Sequence, residues 1–416
     1  MPTSAALRLL DGEAAGAAAG AVARAWSMEP DALIALVGSS GLRGRGGAGF
    51  PLARKLAAVR TAAAGGPAYA VANAYDADPG SPLAATLLAR NPTLVLDGLA
   101  IAARAAGAQI AYLYLHPEAA AAQDAAARAL AARAGAYGDL VIEIAHGPGG
   151  FIGGEESALL AVLESRRAMA RQRPPFPAAA GLNGRPTLVS SAETLAALPL
   201  IVSAGAEAFR STGTTATSGT KLVSVTGAVR APGVYEVAFG TTLGDIVAVA
   251  GGPIGTPRGL HVGGPTGGIL NMTRTDVPLD YEPLRAAGTH LGSAQVRALP
   301  ADVCVVREAG RLFGYLARET CGICVPCRVG TKRVEGILDG IASQLGRDDD
   351  LPWLGELGDH LDAFSLCGFG VTSASIIRTT MAEFPDDYRQ HITERTCPTG
   401  TCTPLRSRRY ETMAQP

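Results

Sequence analysis

The sequence predicts an α/β chain in three parts: a parallel sheet covered by helices, a small β-grasp domain, and a C-terminal helical bundle carrying clustered cysteines. Three observations predict it. Between about residues 66 and 150, short β-like runs alternate with Ala/Leu-rich helical stretches, the pattern of parallel strands joined by crossover helices. After about 216 the rhythm changes to period-2 strands with glycine-rich turns. After about 305 it becomes helical, and six of the seven cysteines lie in the last quarter of the chain. At 416 residues the chain exceeds one ordinary core. The borders follow as 1–215, 216–304 and 305–416.

In chain order, the first thirty or so residues are Ala-rich and helix-prone, and "SMEPDALIALVGSSG" is a helix started by Ser/Glu and stopped at Ser-Ser-Gly. "GLRGRGGAGFP" follows as a glycine-rich loop. The runs "AYAVANA", "QIAYLYL" and "LVIEIAHG" are strands, and "SPLAATLLARNPTLVLDGLAIAARAAG" is helical. "GAEAFRSTGTTATSGT", about 205–220, is small and polar and reads as a linker or surface loop. In the next part "KLVSVTGAV" and "GVYEVAFG" are strands around "RAPG". A short helix in "TTLGDIVAVAGG" and the turn-rich "HVGGPTGGIL" complete a β-grasp pattern.

Composition narrows the function. Hydrophobic residues make up 48% but aromatics only 5%, so the core is expected to be close-packed Ala and other small residues. Net charge is -1 with no basic block, and nucleic acid is not an expected partner. No run approaches the roughly 18 apolar residues of a membrane helix, and the first residues lack an export-signal pattern. A cytoplasmic protein is expected, on its own or at the periphery of a membrane complex. An odd number of cysteines without an export signal disfavours a disulfide framework. Cys304, inside "DVCVV", reads as a plain buried strand residue.

The densest chemistry is "ETCGICVPCRVGTKR". Cys321, Cys324 and Cys327 return to one side of a turn that opens a helix, with Gly322 letting the backbone bend. A 4Fe-4S cube often takes three ligands from such a run and a fourth from elsewhere. Here Cys367 in "SLCGFG" supplies it. A structural zinc is the rival, although zinc favours paired CxxC or CxxH ligands. Arg328, Lys332 and Arg333 either offset the charge of a thiolate-ligated cluster or form a solvated helix face.

Two glycine-rich blocks sit upstream. The run Gly44, Arg45, Gly46, Gly47, Ala48, Gly49 can bring backbone N–H groups against a phosphate without Cβ obstruction; a flexible turn is the plainer reading. In "HGPGGFIGGEESALL", Gly153 and Gly154 open a helix with Glu155 and Glu156 in its first turn. Acidic residues suit a helix N-terminus on dipole grounds, and the same carboxylates can accept hydrogen bonds from sugar hydroxyls. His146, before this block, reads as a loop residue.

Taken in order, "GLRGRGGAGFP", "GGEESALLAVLESR" and "ETCGICVPCRVG" with the later "SLCGFG" resemble the flavin-containing, NADH-oxidising 51 kDa component of respiratory complex I and the related chains of NAD-linked hydrogenases and formate dehydrogenases. The resemblance spans about residues 30 to 400. It implies a Rossmann-like FMN and NADH domain, a soluble-ligand-binding β-grasp (SLBB) domain, and a helical domain holding a 4Fe-4S cluster. Carried over, Gly44, Arg45, Gly46, Gly47 and Lys55 would contact FMN, with Asn73 at its ribityl or ring atoms. Phe50 and Phe176 would flank the adenine of NADH. Gly154, Glu155 and Glu156 would lie beside the flavin and the nicotinamide ribose. Cys321, Cys324, Cys327 and Cys367 would ligate the cluster.

The sequence departs from the family pattern around the flavin. Where the family reads Asn-Ala-Asp-Glu-x-Glu-Pro-Gly, this chain has Tyr75, Asp76 and Asp78. Phe151 replaces a tyrosine, Ser190 and Ser191 replace paired asparagines, and Ala57 and Ala58 stand where a second aromatic is expected. Asp78, Ser190 and Ser191 remain positions of the cofactor-binding pattern. Each lost hydrogen bond to a bound ligand costs on the order of 1 kcal/mol. The tail "HITERTCPTGTC" adds His391, Cys397 and Cys402, which resembles the hydrogenase-type relatives; three such ligands can bind zinc, or a second cluster with help from elsewhere, and buried free thiols at a helix end are the plainer reading.

The resemblance implies that NAD(P)H reduces the flavin, that electrons pass singly to the cluster, and that a small 2Fe-2S subunit or a membrane-bound reductase receives them. Two other readings stay open at this point. One is an iron–sulfur relay subunit without productive NADH or FMN binding, motivated by the substitutions around the flavin. The other is a zinc-stabilised ligand-binding module.

Overall fold

The computed structural model describes residues 8–64 and 66–404. The chain packs as two compact units, one comprising residues up to Ser224 together with Val234–Thr241, the other Val225–Gly233 and the chain from Thr242 onward.

The first unit is built on four parallel strands, β1 (Tyr69–Ala74), β2 (Ile110–Leu115), β3 (Val141–His146) and β4 (Thr187–Ser191), in the order β3-β2-β1-β4. The three β-like runs form β1 to β3, and His146 is the last residue of β3 rather than a loop residue. Helices α1 (Ala14–Ala17), α2 (Ala21–Ser27), α3 (Pro30–Ser39) and α4 (Leu52–Ala63) precede the sheet. Then come α5 (Leu83–Arg90), α6 (Pro92–Ala106), α7 (Ala120–Ala132), α8 (Glu156–Leu163), α9 (Pro177–Ala180), α10 (Ala192–Ala204) and α11 (Ala206–Arg210). The last of these occupies part of the stretch expected to be a linker: Phe209 is buried and anchors it.

Small residues set the packing, as the composition predicts. A Cβ on Gly98 of α6 would lie 1.9 Å from the Leu195 carbonyl oxygen of α10, so only glycine lets these two buried helices cross at backbone distance. The first turn of α10 also buries an ion pair. Glu193 accepts from Lys221 Nζ and, at 2.7 Å, from the Leu222 amide. Burial pushes the Lys221 ammonium down, and Glu193 beside it opposes the shift. Removing one partner of such a pair costs about 3–5 kcal/mol.

β1 neighbours both β2 and β4: the chain runs from β1 through β2 to β3 at one edge and then crosses back to β4 at the other, so the strand order reverses between β1 and β4. Ligands of open α/β sheets bind at the carboxyl ends of the strands where the order reverses. In this sheet that place is the crevice between β1 and β4, where Asn73 faces Ser191 in register.

β5 (Thr220–Gly227) and β6 (Gly233–Ala238) are the two strands expected around "RAPG", and the division between the units runs through both. In the second unit β5 neighbours β9 (Gln295–Leu299), and β9 pairs with β7 (Gly259–Val262), which forms a hairpin with β8 (Gly268–Asn271). The short helix α12 (Leu243–Val249), capped by Thr242 Oγ1 on the Asp245 amide at 3.1 Å, gives the β-grasp arrangement its helix, and α13 (Tyr281–Ala286) follows.

The helical part comprises α14 (Val305–Glu319), α15 (Thr331–Ala342), α16 (Asp350–Phe364), α17 (Gly368–Glu383) and α18 (Pro385–Arg389). α14 packs on α15, and α16 on α17. α17 also ties to the hairpin, where Thr379 Oγ1 accepts from the Ile269 amide at 2.9 Å. Among the described residues no helix is long and apolar enough to cross a membrane.

Candidate functional site

The glycine-rich loop closes on itself and then onto a helix start. Gly44 N–H donates to the Phe50 carbonyl at 2.8 Å, and Gly47 and Gly49 take φ of 102° and 67°, the left-handed region that favours glycine. Arg45 N–H donates to Thr194 Oγ1 at 2.7 Å, and Ser191 Oγ lies 2.7 Å from the same hydroxyl. The loop therefore lies across the N-terminus of the 13-residue α10, which Ser191 caps. Loop amides and a helix N-terminus together make an anion cradle. The Arg45 guanidinium is turned inward: it donates to the carbonyls of Arg43 at 2.8 Å and Ser218 at 2.6 Å and covers the Phe239 ring.

The acidic turn borders the same crevice. Asn73 Nδ2 donates to the Gly154 carbonyl at 2.8 Å, fixing the turn to the end of β1. Glu155 caps α8, its Oε2 accepting from the amides of Ser157 and Ala158 at 2.9 Å each. Its other oxygen meets Arg173, whose second nitrogen reaches Glu156 at 3.0 Å. Lys55 Nζ lies 3.3 Å from Glu156 and donates to the Val189 carbonyl at 2.9 Å. Arg173, the first residue of "RPPFP", is absent from the expected site residues, although it stands just before Phe176. Its Nε is buried with no hydrogen-bond partner among the described residues. Phe50 and Phe176 are 47% and 57% exposed, rings available to stack on a base.

The departures from the family pattern find local explanations. Tyr75 turns into the core, where it stacks on Tyr114 at 5.2 Å beneath the glycines of the acidic turn; a Cβ on Gly153 would lie 2.5 Å from its hydroxyl. Asp76 bonds the amides of Ala84 and Ala85 at the start of α5. Burial raises its carboxyl to about 7, with Asp78 adding to the shift and Lys221 opposing it. Asp78 is buried in a turn, accepting from Gly80 N–H at 2.9 Å, and Ser190 is buried in β4.

In the second unit, Cys321 follows the end of α14, and Gly322 bends the chain at φ 78°. Cys327 sits in the π-helical turn Pro326–Gly330 that opens α15, and Cys367 is the N-cap of α17. The first turn of α17 comes down on Cys327: a Cβ on Gly370 would lie 3.3 Å from its Sγ. Burial pushes the Cys327 thiol up to about 12, a Thr320 hydrogen bond opposes, and the charges of Cys324, Cys367 and Cys321 add to the rise. Cys324, Cys367 and Cys321 are thus near enough for their charges to be felt at Cys327, a crowding of like charges of the kind an iron–sulfur core offsets. Arg328 donates to the Gly322 carbonyl at 3.0 Å, whereas Lys332 and Arg333 are exposed.

The tail ligands also converge, and they gain a fourth. Ligand atoms of Cys304, His391, Cys397 and Cys402 lie within 4.8 Å of one another. Cys304 is therefore no plain strand residue. It is the N-cap of α14, and the apolar run around it begins a helix. None of the described cysteines forms a disulfide.

An anion cradle beside paired carboxylates in one unit, with a four-thiol site in the other, defines the class of flavin and iron–sulfur redox proteins. Residues 37–200 match the family described as the Nuo51 FMN-binding domain, 222–270 the SLBB domain, and 307–391 the NADH-ubiquinone oxidoreductase-F iron-sulfur binding region. The F subunit of the NADH-quinone oxidoreductase of Streptomyces coelicolor is 38% identical over 387 residues, covering 90% of this chain and 86% of that one. The HndC subunit of the NADP-reducing hydrogenase of Solidesulfovibrio fructosivorans is 35% identical, covering 92% and 81%. The crystal structure of an NAD+-reducing [NiFe]-hydrogenase in the H2-reduced state superposes with a TM-score of 0.83 at 33% identity, over 94% of this chain and 68% of that one. The chain belongs to the family of NADH-quinone oxidoreductase F subunits, as an oxidoreductase component with FMN-binding and 4Fe-4S-binding regions.

Proposed function

We propose that this chain oxidises NADH at an FMN in its first unit and passes the electrons through a 4Fe-4S cluster in its second unit to a partner protein. The observation that carries the reading is the bond from Arg45 N–H to Thr194 Oγ1, which lays the glycine loop across the start of α10. The donor set fits the cofactor. Gly46 and Gly47 would offer backbone amides to its phosphate, Gly44 and Arg45 would line it while their own amides hold the loop to Phe50 and Thr194, and Lys55 would add a positive charge. Asn73, Asp78, Ser190 and Ser191 would border its ribityl chain and ring along the crevice between β1 and β4. Gly154, Glu155 and Glu156 would line the flavin and accept from the nicotinamide ribose, and Phe50 and Phe176 would flank the adenine. Bound there, FMN supplies the chemistry that converts a two-electron hydride donor into single electrons for the cluster.

Cys321, Cys324, Cys327 and Cys367 would ligate that cluster. Ile323, Val325 and Val329, on the loop and turn carrying these cysteines, are 43%, 58% and 55% exposed, an apolar rim suited to an electron-accepting partner. A small 2Fe-2S subunit or a membrane-bound reductase fills that role, with the chain in the cytoplasm or at the membrane periphery. Iron, sulfide and flavin analysis of the purified chain, followed by addition of NADH, tests the reading. Flavin absorbance bleached by NADH supports it. Brown protein with no flavin and no response to NADH sinks it in favour of an iron–sulfur relay role.

A further inference from the structure

We propose that Cys304, His391, Cys397 and Cys402 hold one structural zinc ion that clasps the C-terminal tail onto the start of α14. The four residues come from separate places: the N-cap of α14, the π-helical turn Gln390–Glu394 after α18, and two positions in the tail. Nothing in local packing requires three thiols and an imidazole to meet there, yet their ligand atoms all lie within 4.8 Å of one another.

Distances distinguish the metal. Cys304 Sγ lies 3.5 Å from His391 Nε2. Around a tetrahedral zinc with Zn–S near 2.3 Å and Zn–N near 2.05 Å, that separation is about 3.6 Å, and sulfur pairs lie about 3.8 Å apart. A four-iron cube places iron and sulfide between its cysteine sulfurs and needs them spread wider. The site therefore suits a single ion. Three soft sulfurs and one imidazole favour zinc over the hard cations, and four protein ligands leave no open position of the kind a catalytic zinc keeps.

The surroundings are those of a finished ligand set. His391 is fully buried, and its Nδ1 lies 2.6 Å from the Asp387 carbonyl oxygen. Nδ1–H donating to that carbonyl leaves the Nε2 lone pair facing the thiols, the orienting contact that metal-bound histidines use. Cys304 and Cys402 are 3% and 7% exposed. Three thiolates and Zn2+ sum to one negative charge, and α14 offers its N-terminus to it through Cys304. Arg307, in the first turn of α14, donates to the Thr401 carbonyl at 2.8 Å, holding the tail beside Cys402 from a second side.

Metal analysis of the full chain, with its iron–sulfur cluster in place, tests this. About one zinc per chain is expected in addition to the cluster iron. Cys402→Ser and His391→Ala should each lose the zinc and keep the iron and sulfide. They should also speed tryptic cleavage at Arg395 by about tenfold, because the tail loses its anchor. Should the variants fail to fold, cobalt exchanged into the wild-type chain gives an independent readout, expected as the intense visible bands of a tetrahedral thiolate site. Absence of zinc from the wild-type protein would overturn the proposal. So would zinc retained in both variants, iron and sulfide lost from them in place of zinc, or a Cys397–Cys402 disulfide in the native chain.

Discussion

Asn73 and Ser191 are register partners at the carboxyl ends of β1 and β4, and each fastens a different wall of the crevice. Asn73 Nδ2 holds the Gly154 carbonyl and its Oδ1 accepts from the Tyr75 amide at 3.2 Å, while Ser191 caps the helix beneath the glycine loop. Asn73→Ala removes both bonds and releases the acidic turn. At about 1 kcal/mol per bond, FMN affinity should fall by roughly ten- to thirtyfold. Flavin fluorescence titration of deflavinated protein reads this directly, and unchanged affinity would remove Asn73 from the site.

Arg173 balances two carboxylates that stand beside each other in sequence, and so holds the acidic turn in place. Arg173→Ala should raise KM for NADH by about tenfold with kcat changed less than about threefold, the signature of lost substrate binding. Arg173→Lys restores the charge but not the fork that reaches both glutamates, so it should recover only part of the loss. Steady-state kinetics with an artificial electron acceptor make the measurement. A fall in kcat at constant KM would place Arg173 elsewhere in the reaction.

At the thiolate site the sharpest probe is a residue that is not a ligand. Gly370→Ala would put a Cβ 2.1 Å from Ser365 Oγ and 3.3 Å from Cys327 Sγ, so one of them must move. Cluster iron should fall below half of the wild-type content even though all four cysteines remain. Cys367→Ser should abolish the low-temperature EPR signal of the reduced cluster. In both variants NADH should still bleach the flavin, because the nucleotide residues belong to the other unit. Loss of flavin together with iron would contradict that separation.

Period and motif make most of this legible before any coordinates. Alternation locates β1 to β3, and the glycine blocks and cysteine spacing locate the site segments. What they miss shares one physical cause, namely partners distant in sequence. Cys304 resembles strand core because its neighbours are apolar, and only the fold brings His391 to it across 87 positions. Arg173 carries no motif of its own and gains meaning from Glu155 and Glu156. Tyr75, at a position where the family carries an acid, is absorbed by stacking on Tyr114. β4 shows in the sequence only through its serines, since its five residues are buried almost throughout and carry no period that would announce a strand.

Acid sensitivity of the second unit should come from two histidines that no expected site uses. Burial pushes His261 to about 4, with Arg297 adding to the shift and Glu308 opposing it. Burial and the neighbouring His261 do the same to His290. An unfolded imidazole ionises near 6.5, so between about 6.5 and 4 the unfolded chain binds protons that the folded chain does not. Stability present at neutral pH is then lost as pH falls through that window, by on the order of 3 kcal/mol per histidine when the shift is fully expressed. Asp76, in the first unit, runs the other way. Its carboxyl is raised to about 7, so the folded form holds its proton more tightly, and that unit gains stability as pH falls from about 7 toward 4. Thermal unfolding of wild type and His261→Phe between pH 7.5 and 5 separates the two. The variant should show the shallower loss on acidification, and equal slopes would show that His261 ionises in the folded chain as it does in water.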